Sequence, residues 1–220
     1  MLKACLFDLD GTLLDTLDDL TASVNTMLAK HGFPLLTRET TRQNIGDGMP
    51  MLVRRSLPAE YLADEAFVIE CIQAMRAAYA EDWDRATVPY DGVPETLETL
   101  LQAGIPLGVL SNKPHEFTVK CVERFFPGVP FRMIFGQRKG IPIKPDPAGA
   151  LESISIFGVS PEECAYIGDS GVDMKTSRAS GMFGVGALWG FRDREELESN
   201  GAHILINAPG ELVGLIEMRG

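Results

Sequence analysis

The stretch ACLFDLDGTLLDT, residues 4–16, sets the expectations for the whole chain. It begins as an apolar run typical of a buried strand and leads directly into Asp8 and Asp10, with one leucine between them. Alternate side chains of a strand share a face, so we expect the two carboxylates to project toward one place. Carboxylates that lie close together repel each other, and burial raises that cost. The rest of the chain must therefore supply something that offsets the repulsion.

The overall composition excludes several classes of protein. The chain has 220 residues, of which 45% are hydrophobic, and this is enough for one domain, or for one domain with a smaller insert. The formal net charge of -11 argues against nucleic acid or an anionic membrane as a partner. A local lysine, backbone amides or a metal ion could still attract a small anion.

The cysteine pattern and the hydropathy of the sequence predict the cellular compartment of the protein. The four cysteines are scattered without a CxxC pair, which favours reduced thiols packed as small hydrophobic side chains. The first apolar run is too short for a secretory signal, and no apolar stretch approaches the length that spans a membrane. We therefore expect a cytoplasmic protein that binds neither nucleic acid nor membranes; nothing in the sequence indicates its oligomeric state.

The segment that follows the first strand, to about residue 85, has the apolar periodicity of helices. The predicted helices run from a cap at Asp15 or Thr16 to Gly32, from near Thr37, and over residues 59–83. The turn Gly46–Gly48 and the stretch MPMLVRRSL after it lie between them without an assigned element. We expect no strand in this segment.

From Pro89 onward, strands and helices alternate. The predicted strands cover residues 105–110, 132–135, 164–168, 182–186 and 203–206, and the predicted helices cover residues 94–103, 115–126, 147–157, 172–179, 193–200 and a final segment. This alternation predicts an α/β fold with a doubly wound parallel sheet. The helical segment is then a small all-helical insert after the first strand, so that residues 1–14 and 86–220 form the core and residues 15–85 the insert.

Polar residues follow several of the predicted strands, where ligands bind in open parallel sheets. They are Asp8 and Asp10, Ser111 and Asn112, Lys144 in a loop before a helix, and Asp169. Three carboxylates, a hydroxyl and a lysine are thus expected at one edge of the sheet. A hard divalent cation, most plausibly Mg²⁺, would neutralise the carboxylates.

Four short sequence motifs, which include the polar residues expected at this edge, resemble the motifs of a known protein family. FDLDGTLLDT, VLSNKP, IKPDP and YIGDSGVDM, in this order between residues 7 and 174, resemble the motifs of the haloacid dehalogenase superfamily. The resemblance implies a magnesium-dependent phosphatase that acts through an aspartyl phosphate, with the helical insert as a cap domain. It further implies that the substrate is a small phosphorylated metabolite.

The resemblance also implies a role for each matched residue. Asp8 corresponds to the nucleophile, and Asp10 to the general acid and base. Mg²⁺ would be held by Asp8, the backbone carbonyl of Asp10 and Asp169, with Asp173 in support. The groups that would bind the phosphoryl oxygens are Ser111, Asn112, Lys144 and the backbone amides near Gly11 and Thr12.

Within this superfamily, the insert resembles that of the phosphoglycolate phosphatase subfamily. The stretches that resemble it are DTLDDL at residues 15–20 and IGDG at residues 45–48. Recognition of a substrate carboxylate would then fall to the turn Gly46-Asp47-Gly48 and to Arg54 or Arg55, since a guanidinium binds a carboxylate in a bidentate manner. The alternative is a capping turn with solvated arginines.

Other functions remain open at this stage. Within the enzyme class, the substrate could be another small phosphate ester or pyrophosphate. A sugar-phosphate mutase is disfavoured because no histidine lies early in the first helix of the insert. A receiver-like phospho-acceptor module also places carboxylates at the ends of parallel strands, but it lacks both the role of Asp10 and a helical cap.

Overall fold

The strand that precedes the two aspartates is buried along its whole length, as expected for a strand with parallel neighbours on both sides and helices over both faces. The computed structural model describes residues 2–218. In chain order its elements are β1 (Ala4–Phe7), β2 (Leu14–Asp15), α1 (Leu17–Lys30), α2 (Arg38–Asn44), α3 (Met49–Ser56), α4 (Glu65–Asp82), β3 (Val88–Pro89), α5 (Val93–Gln102), β4 (Leu107–Pro114), α6 (His115–Phe125), β5 (Met133–Gln137), α7 (Ala148–Phe157), β6 (Cys164–Gly168), α8 (Gly171–Ser180), β7 (Phe183–Ala187), α9 (Arg194–Ser199), β8 (Ile204–Ile206) and α10 (Glu211–Met218).

Six of the strands form one parallel sheet in the order β5-β4-β1-β6-β7-β8. The chain leaves β1 toward β4 and β5, and then returns to place β6 on the other side of β1. The direction of winding therefore reverses between β1 and β6, and a crevice for ligands forms at such a reversal, beyond the carboxyl ends of the strands. The predicted α/β fold with a doubly wound parallel sheet is confirmed. The two remaining strands, β2 and β3, form a separate two-stranded sheet.

The chain divides into two compact units, one made of the residues up to Asp15 and from Pro89 onward, the other of Thr16–Val88. The second unit, called the helical unit below, contains α1 to α4. Its core is built on α1 and α4, which pack against each other. The apolar face of α1 that the sequence predicts is buried, and its members are Leu17, Leu20, Val24, Met27 and Leu28. Within residues 2–218, every helix is too short or too polar to cross a lipid bilayer.

Two boundaries in the helical unit differ from the sequence prediction. The long helix predicted over residues 59–83 is interrupted, because Asp64 accepts a hydrogen bond from the Phe67 amide and starts α4 at Glu65. Only a 3₁₀ turn, Ala59–Tyr61, precedes it. The stretch MPMLVRRSL, left without an element, forms α3. Its short apolar face was too brief to be distinguished from a loop by periodicity alone.

Three strands also differ from the prediction, and one of them is Val88–Pro89, a two-residue strand that the sequence did not predict. Leu14–Asp15 is a two-residue strand in a place where none was expected, since so short a segment has no alternating pattern. The strand predicted over residues 105–110 continues to Pro114. Its last part is irregular, because Leu110 pairs with Phe135 whereas Pro114 pairs with Gln137.

A buried carboxylate closes the helical unit on itself. Asp19, in the first turn of α1, is 3% exposed and accepts hydrogen bonds from the residues at the far end of the unit. The Ala86 amide donates to both carboxylate oxygens of Asp19, at 3.0 and 3.1 Å. The Thr87 amide and hydroxyl donate to Asp19 Oδ2, at 2.8 and 2.6 Å. One side chain thus joins the beginning of the unit to its end.

Replacing this carboxylate should destabilise the helical unit. We expect Asp19→Ala to lower the free energy of unfolding by about 2–4 kcal/mol, because the buried donors of Thr87 lose their acceptor. Urea unfolding followed by the fluorescence of Trp83, which lies in the same unit, measures the change.

Asp18→Ala is the matched control, since the Asp18 side chain is 59% exposed and pairs with Arg38 on the surface. It should cost no more than about 1 kcal/mol. Equal losses in the two variants would mean that Asp19 contributes no more than a surface charge.

Candidate active site

Three buried carboxylates meet where β1 and β6 end. Asp8 follows β1, Asp169 follows β6, and Asp173 lies in the first turn of α8. Carboxylate oxygens of the three residues lie within 4.8 Å of one another, and all three residues are buried. The reversal of winding between β1 and β6 therefore brings Asp8 and Asp169 together at the predicted edge, but the third member of the cluster is Asp173 rather than Asp10.

The cluster is electrostatically costly without a compensating charge. Burial raises the pKa of Asp8 to about 7; the Lys144 ammonium opposes that shift, and the Asp173 carboxylate adds to it. Burial, followed by the charges of Asp173 and Asp8, raises the pKa of Asp169 well above its ordinary value. A cation bound beside these carboxylates would lower both pKa values.

The oxygen atoms of the cluster differ in how many partners they already have. Asp173 is well satisfied: Oδ1 lies 2.7 Å from Lys144 Nζ and 3.2 Å from the Tyr166 hydroxyl, and Oδ2 accepts from the amide and hydroxyl of Ser170. Asp8 Oδ1 is buried and accepts no hydrogen bond among the described residues. Lys144 Nζ is 2.9 Å from it, an ion-pair distance without hydrogen-bond angles.

This donor set fits a hard divalent cation. Carboxylate oxygens are the ligands that Mg²⁺ prefers, and Asp8 Oδ1 lacks the hydrogen bond that a buried oxygen normally has. Two hydrogen bonds orient the Asp169 carboxylate toward the same cation: Oδ2 accepts from the Phe191 amide at 2.7 Å, and Oδ1 accepts from the Thr12 hydroxyl at 3.3 Å. Both carboxylate oxygens of Asp173 already accept hydrogen bonds, and Asp173 instead holds Lys144 in place.

Lys144 is held by both its backbone and its side chain. Its ammonium lies between Asp8 and Asp173, and the residue is 4% exposed. Burial alone lowers the pKa of Lys144, but the Asp173 and Asp8 carboxylates raise it well above its ordinary value, so the lysine stays charged at neutral pH. The Asn112 side chain accepts from the Lys144 amide at 2.9 Å and donates to the Lys144 carbonyl at 3.0 Å. Asn112 therefore holds the loop that carries the lysine, and its predicted contact with phosphate stays a prediction.

The irregular end of β4 explains why three consecutive polar residues are buried together. Because Leu110 and Pro114 pair with Phe135 and Gln137, the residues 111–113 stand opposite Gly136 alone. A regular strand would send alternate side chains to opposite faces, whereas a bulge re-aims them. A Cβ at Gly136 would lie 2.6 Å from the Lys113 carbonyl oxygen, so the bulge requires glycine there.

Lys113 is a site residue that the sequence analysis did not single out. It is 5% exposed, and its ammonium lies 2.9 and 3.2 Å from the two carboxylate oxygens of Asp10. The signal was present, since Lys113 directly follows Ser111 and Asn112 at the same strand end. Its sequence position could not show which carboxylate it would reach.

The turn after Asp8 is tightly packed. The amide of Gly11 donates to the Leu14 carbonyl at 2.8 Å, and the amide of Thr12 to the Leu9 carbonyl at 3.2 Å. Both amides thus already have partners within the turn, and their predicted contact with phosphoryl oxygens stays a prediction. Trp189, in the loop after β7, is half-buried and donates from Nε1 to the Thr12 carbonyl at 3.0 Å.

The candidate specificity residues lie in the helical unit, where each arginine already pairs with a carboxylate. Arg54 lies 2.5 Å from Glu65. Arg55 pairs with Asp47 of the Gly46–Gly48 turn and donates to the Asn44 carbonyl at 3.0 Å. Binding of a substrate carboxylate would require either arginine to share or exchange its partner. Their role stays a prediction.

Comparison with known proteins agrees with the motifs. The family model of the haloacid dehalogenase-like hydrolases matches residues 5–187. The phosphoglycolate phosphatase of Pseudomonas savastanoi pv. phaseolicola is 34% identical over 98% of this chain and 80% of its own length. That of Pseudomonas putida is 33% identical over 93% and 76%. The crystal structure of a candidate phosphoglycolate phosphatase from Lactobacillus delbrueckii subsp. bulgaricus superposes with a TM-score of 0.89 at 30% identity, over 97% of this chain and 98% of the other.

The close packing around Asp169 gives a testable prediction. A Cβ at Gly190 would lie 2.2 Å from Asp169 Cβ and 2.3 Å from the Gly11 carbonyl oxygen. We therefore expect Gly190→Ala to lower the free energy of unfolding by about 1–3 kcal/mol, the usual cost of overpacking. Urea unfolding followed by Trp189 fluorescence measures the loss.

Gly210→Ala serves as the control, because a Cβ at Gly210 would have no atom within 4 Å. It should change the stability by no more than about 0.5 kcal/mol. If Gly190→Ala were equally neutral, the loop after β7 would not be packed against Asp169 in solution.

Proposed function

Because the chain belongs to the haloacid dehalogenase-like hydrolase family, we propose that it is a magnesium-dependent phosphatase whose substrate is 2-phosphoglycolate. Its relatives over nearly the whole chain carry the name phosphoglycolate phosphatase, which supports a phosphoric monoester hydrolase. The proposed reaction is supported above all by the position of Asp8, which lies beside the buried Lys144. Asp10 follows two residues later at the same strand end. A receiver-like module would have no use for the second carboxylate.

The reaction proceeds in two half-reactions. In the first, a carboxylate oxygen of Asp8 attacks phosphorus, the ester P–O bond breaks, and Asp10 gives its proton to the leaving oxygen. In the second, a water molecule attacks the aspartyl phosphate and transfers a proton to Asp10. The P–O bond to Asp8 then breaks, inorganic phosphate leaves, and both aspartates return to their initial states.

The remaining site residues would neutralise negative charge and keep the reacting groups in position while the phosphoryl group is transferred. Mg²⁺ would be held by Asp8, Asp169 and the backbone carbonyl of Asp10; when bound, it neutralises charge on the carboxylates and the phosphoryl oxygens. The Lys144 ammonium is fixed by Asp173 at 2.7 Å, so it is positioned before substrate arrives and needs little reorganisation.

Binding of the phosphoryl oxygens is assigned to Ser111 and Lys144, with the amides at Gly11 and Thr12 as further donors. Asn112 supports this set by fixing the Lys144 backbone through two hydrogen bonds. The carboxylate of 2-phosphoglycolate is assigned to Arg54 or Arg55 with the Gly46–Gly48 turn, since a guanidinium that already binds a side-chain carboxylate has the geometry to bind one from a ligand.

The nucleophile assignment is tested by Asp8→Asn. We expect this variant to lose activity on 2-phosphoglycolate by at least about 1,000-fold, because an amide is a far poorer nucleophile. Phosphate release in the presence of Mg²⁺ is the measurement, and chelation should abolish the wild-type rate until Mg²⁺ is restored.

Asp193→Asn is the control for the same chemical change. Asp193 caps α9 by accepting from the Glu196 amide at 2.9 Å, and asparagine caps a helix equally well. Its activity should equal that of the wild type. Substantial turnover by purified Asp8→Asn would refute the nucleophile assignment.

The substrate assignment is tested by comparing two esters. Arg54→Ala or Arg55→Ala should lower kcat/KM for 2-phosphoglycolate by about 10- to 100-fold, the value of one charge-assisted contact, and should leave p-nitrophenyl phosphate much less affected. Arg42→Ala, which removes a partly exposed arginine paired with Glu39, controls for loss of surface charge.

Two results would contradict this assignment. Equal losses on both esters would give the arginines a role in the fold or in phosphate binding. No loss in either variant would remove both arginines from substrate recognition.

A further inference from the structure

A second buried lysine lies at the edge of the sheet, and the roles assigned so far do not use it. Lys113 is the last of the three residues in the β4 bulge and is 5% exposed. Its ammonium forms an ion pair with Asp10, whereas the Lys144 ammonium forms ion pairs with Asp8 and Asp173. The two lysines thus divide the carboxylates of the site between them.

The backbone of Lys113 is fixed on both sides. Its amide donates to the Ser111 hydroxyl at 3.3 Å, and its carbonyl accepts from the Thr118 hydroxyl at 3.2 Å. Gly136 allows the neighbouring strand to approach the same carbonyl closely. The backbone from which the Lys113 side chain extends is therefore restrained.

The contact with Asp10 constrains the whole carboxylate. One ammonium lies within hydrogen-bond distance of both oxygens, at 2.9 and 3.2 Å. Two such bonds restrain the position of the carboxylate and the rotation of its plane, whereas a single bond would leave the plane free to turn. An aspartate that exchanges a proton at a reacting oxygen gains rate from such restraint, because misplacement by about 1 Å can cost about 100-fold.

We propose that Lys113 is the positioning residue of Asp10, holding its carboxylate where it exchanges a proton with the leaving oxygen and then with water. The proposal rests on the proposed function, since it assigns Lys113 to the proton-transfer part of that reaction. The two lysines then have different roles. Lys144 binds the oxygens of the phosphoryl group that is transferred, and Lys113 positions Asp10, which donates and accepts the proton.

This division predicts a characteristic kinetic pattern for Lys113→Met. Release of p-nitrophenolate needs no proton, because this leaving group departs as a stable anion, whereas the alkoxide of 2-phosphoglycolate must be protonated. Hydrolysis of the aspartyl phosphate needs Asp10 whichever ester was used. A variant with a misplaced Asp10 should therefore transfer the phosphoryl group from p-nitrophenyl phosphate normally and then stall.

Stopped-flow kinetics on the full-length variant measure this pattern. We expect a burst of one p-nitrophenolate per active site at close to the wild-type rate, followed by a steady state about 10- to 100-fold slower than that of the wild type. Acid quench during the steady state should recover close to one phosphoryl group per chain. With 2-phosphoglycolate, the first turnover itself should slow by a similar factor.

Three further variants make the test specific. Lys113→Met in an Asp10→Asn background should add no further loss, because both changes remove the same function. Lys113→Arg retains the charge and should fall between wild type and Lys113→Met, and it gives a second readout if the methionine variant does not fold. Lys120→Met, which removes an exposed lysine of α6, should behave as wild type.

The outcomes separate this inference from the proposed function. An additive loss in the Asp10→Asn background, or a first turnover of p-nitrophenyl phosphate slowed as much as the steady state, would overturn the role of Lys113. If instead the wild-type protein hydrolysed neither ester, the proposed function itself would be wrong.

Discussion

The repulsion between buried carboxylates is the constraint on which the rest of this structure depends. Asp8, Asp10, Asp169 and Asp173 lie at one edge of the sheet, and two buried lysines contact them. Four carboxylates against two ammonium groups leave an excess of two negative charges when all are ionised. A single divalent cation would cancel that excess, in agreement with a set of carboxylate ligands that suits a hard cation. Burial, to which the neighbouring carboxylates add, raises the pKa values of Asp8 and Asp169.

The backbone is shaped to let these charges approach each other. Reversal of the winding direction between β1 and β6 brings Asp8 and Asp169 to neighbouring strand ends. Glycines at positions 11, 136 and 190 remove the Cβ atoms that would collide with Asp169 or with the bulge of β4. The Asn112 amide then joins β4 to the loop of Lys144, so that the lysine is fixed by a strand from which it is distant in sequence.

The residue types of the site could be predicted from the sequence, whereas their pairings could not. Parallel strands end at one edge, so the residues that follow them are expected to converge, and Asp8 and Asp169 do so. Which lysine faces which carboxylate depends on the bulge at residues 111–113, and a two-residue shift in register has no signature in a single sequence. The start of α4 was mistaken for a similar reason. The capping bond of Asp64 competes locally with an apolar pattern that continues through it.

The bond between Asp19 and residues 86–87 has a consequence for how such a protein can evolve. Because the first turn of α1 binds the last residues of its own unit, the entry and exit of this 73-residue segment, Thr16–Val88, are held together by contacts inside the segment. A segment with joined ends can be accommodated in a host fold as if it were a short loop, and its internal sequence can lengthen at little entropic cost. The helical unit is thereby free to diverge in sequence and length, while the strand ends of the core keep their register.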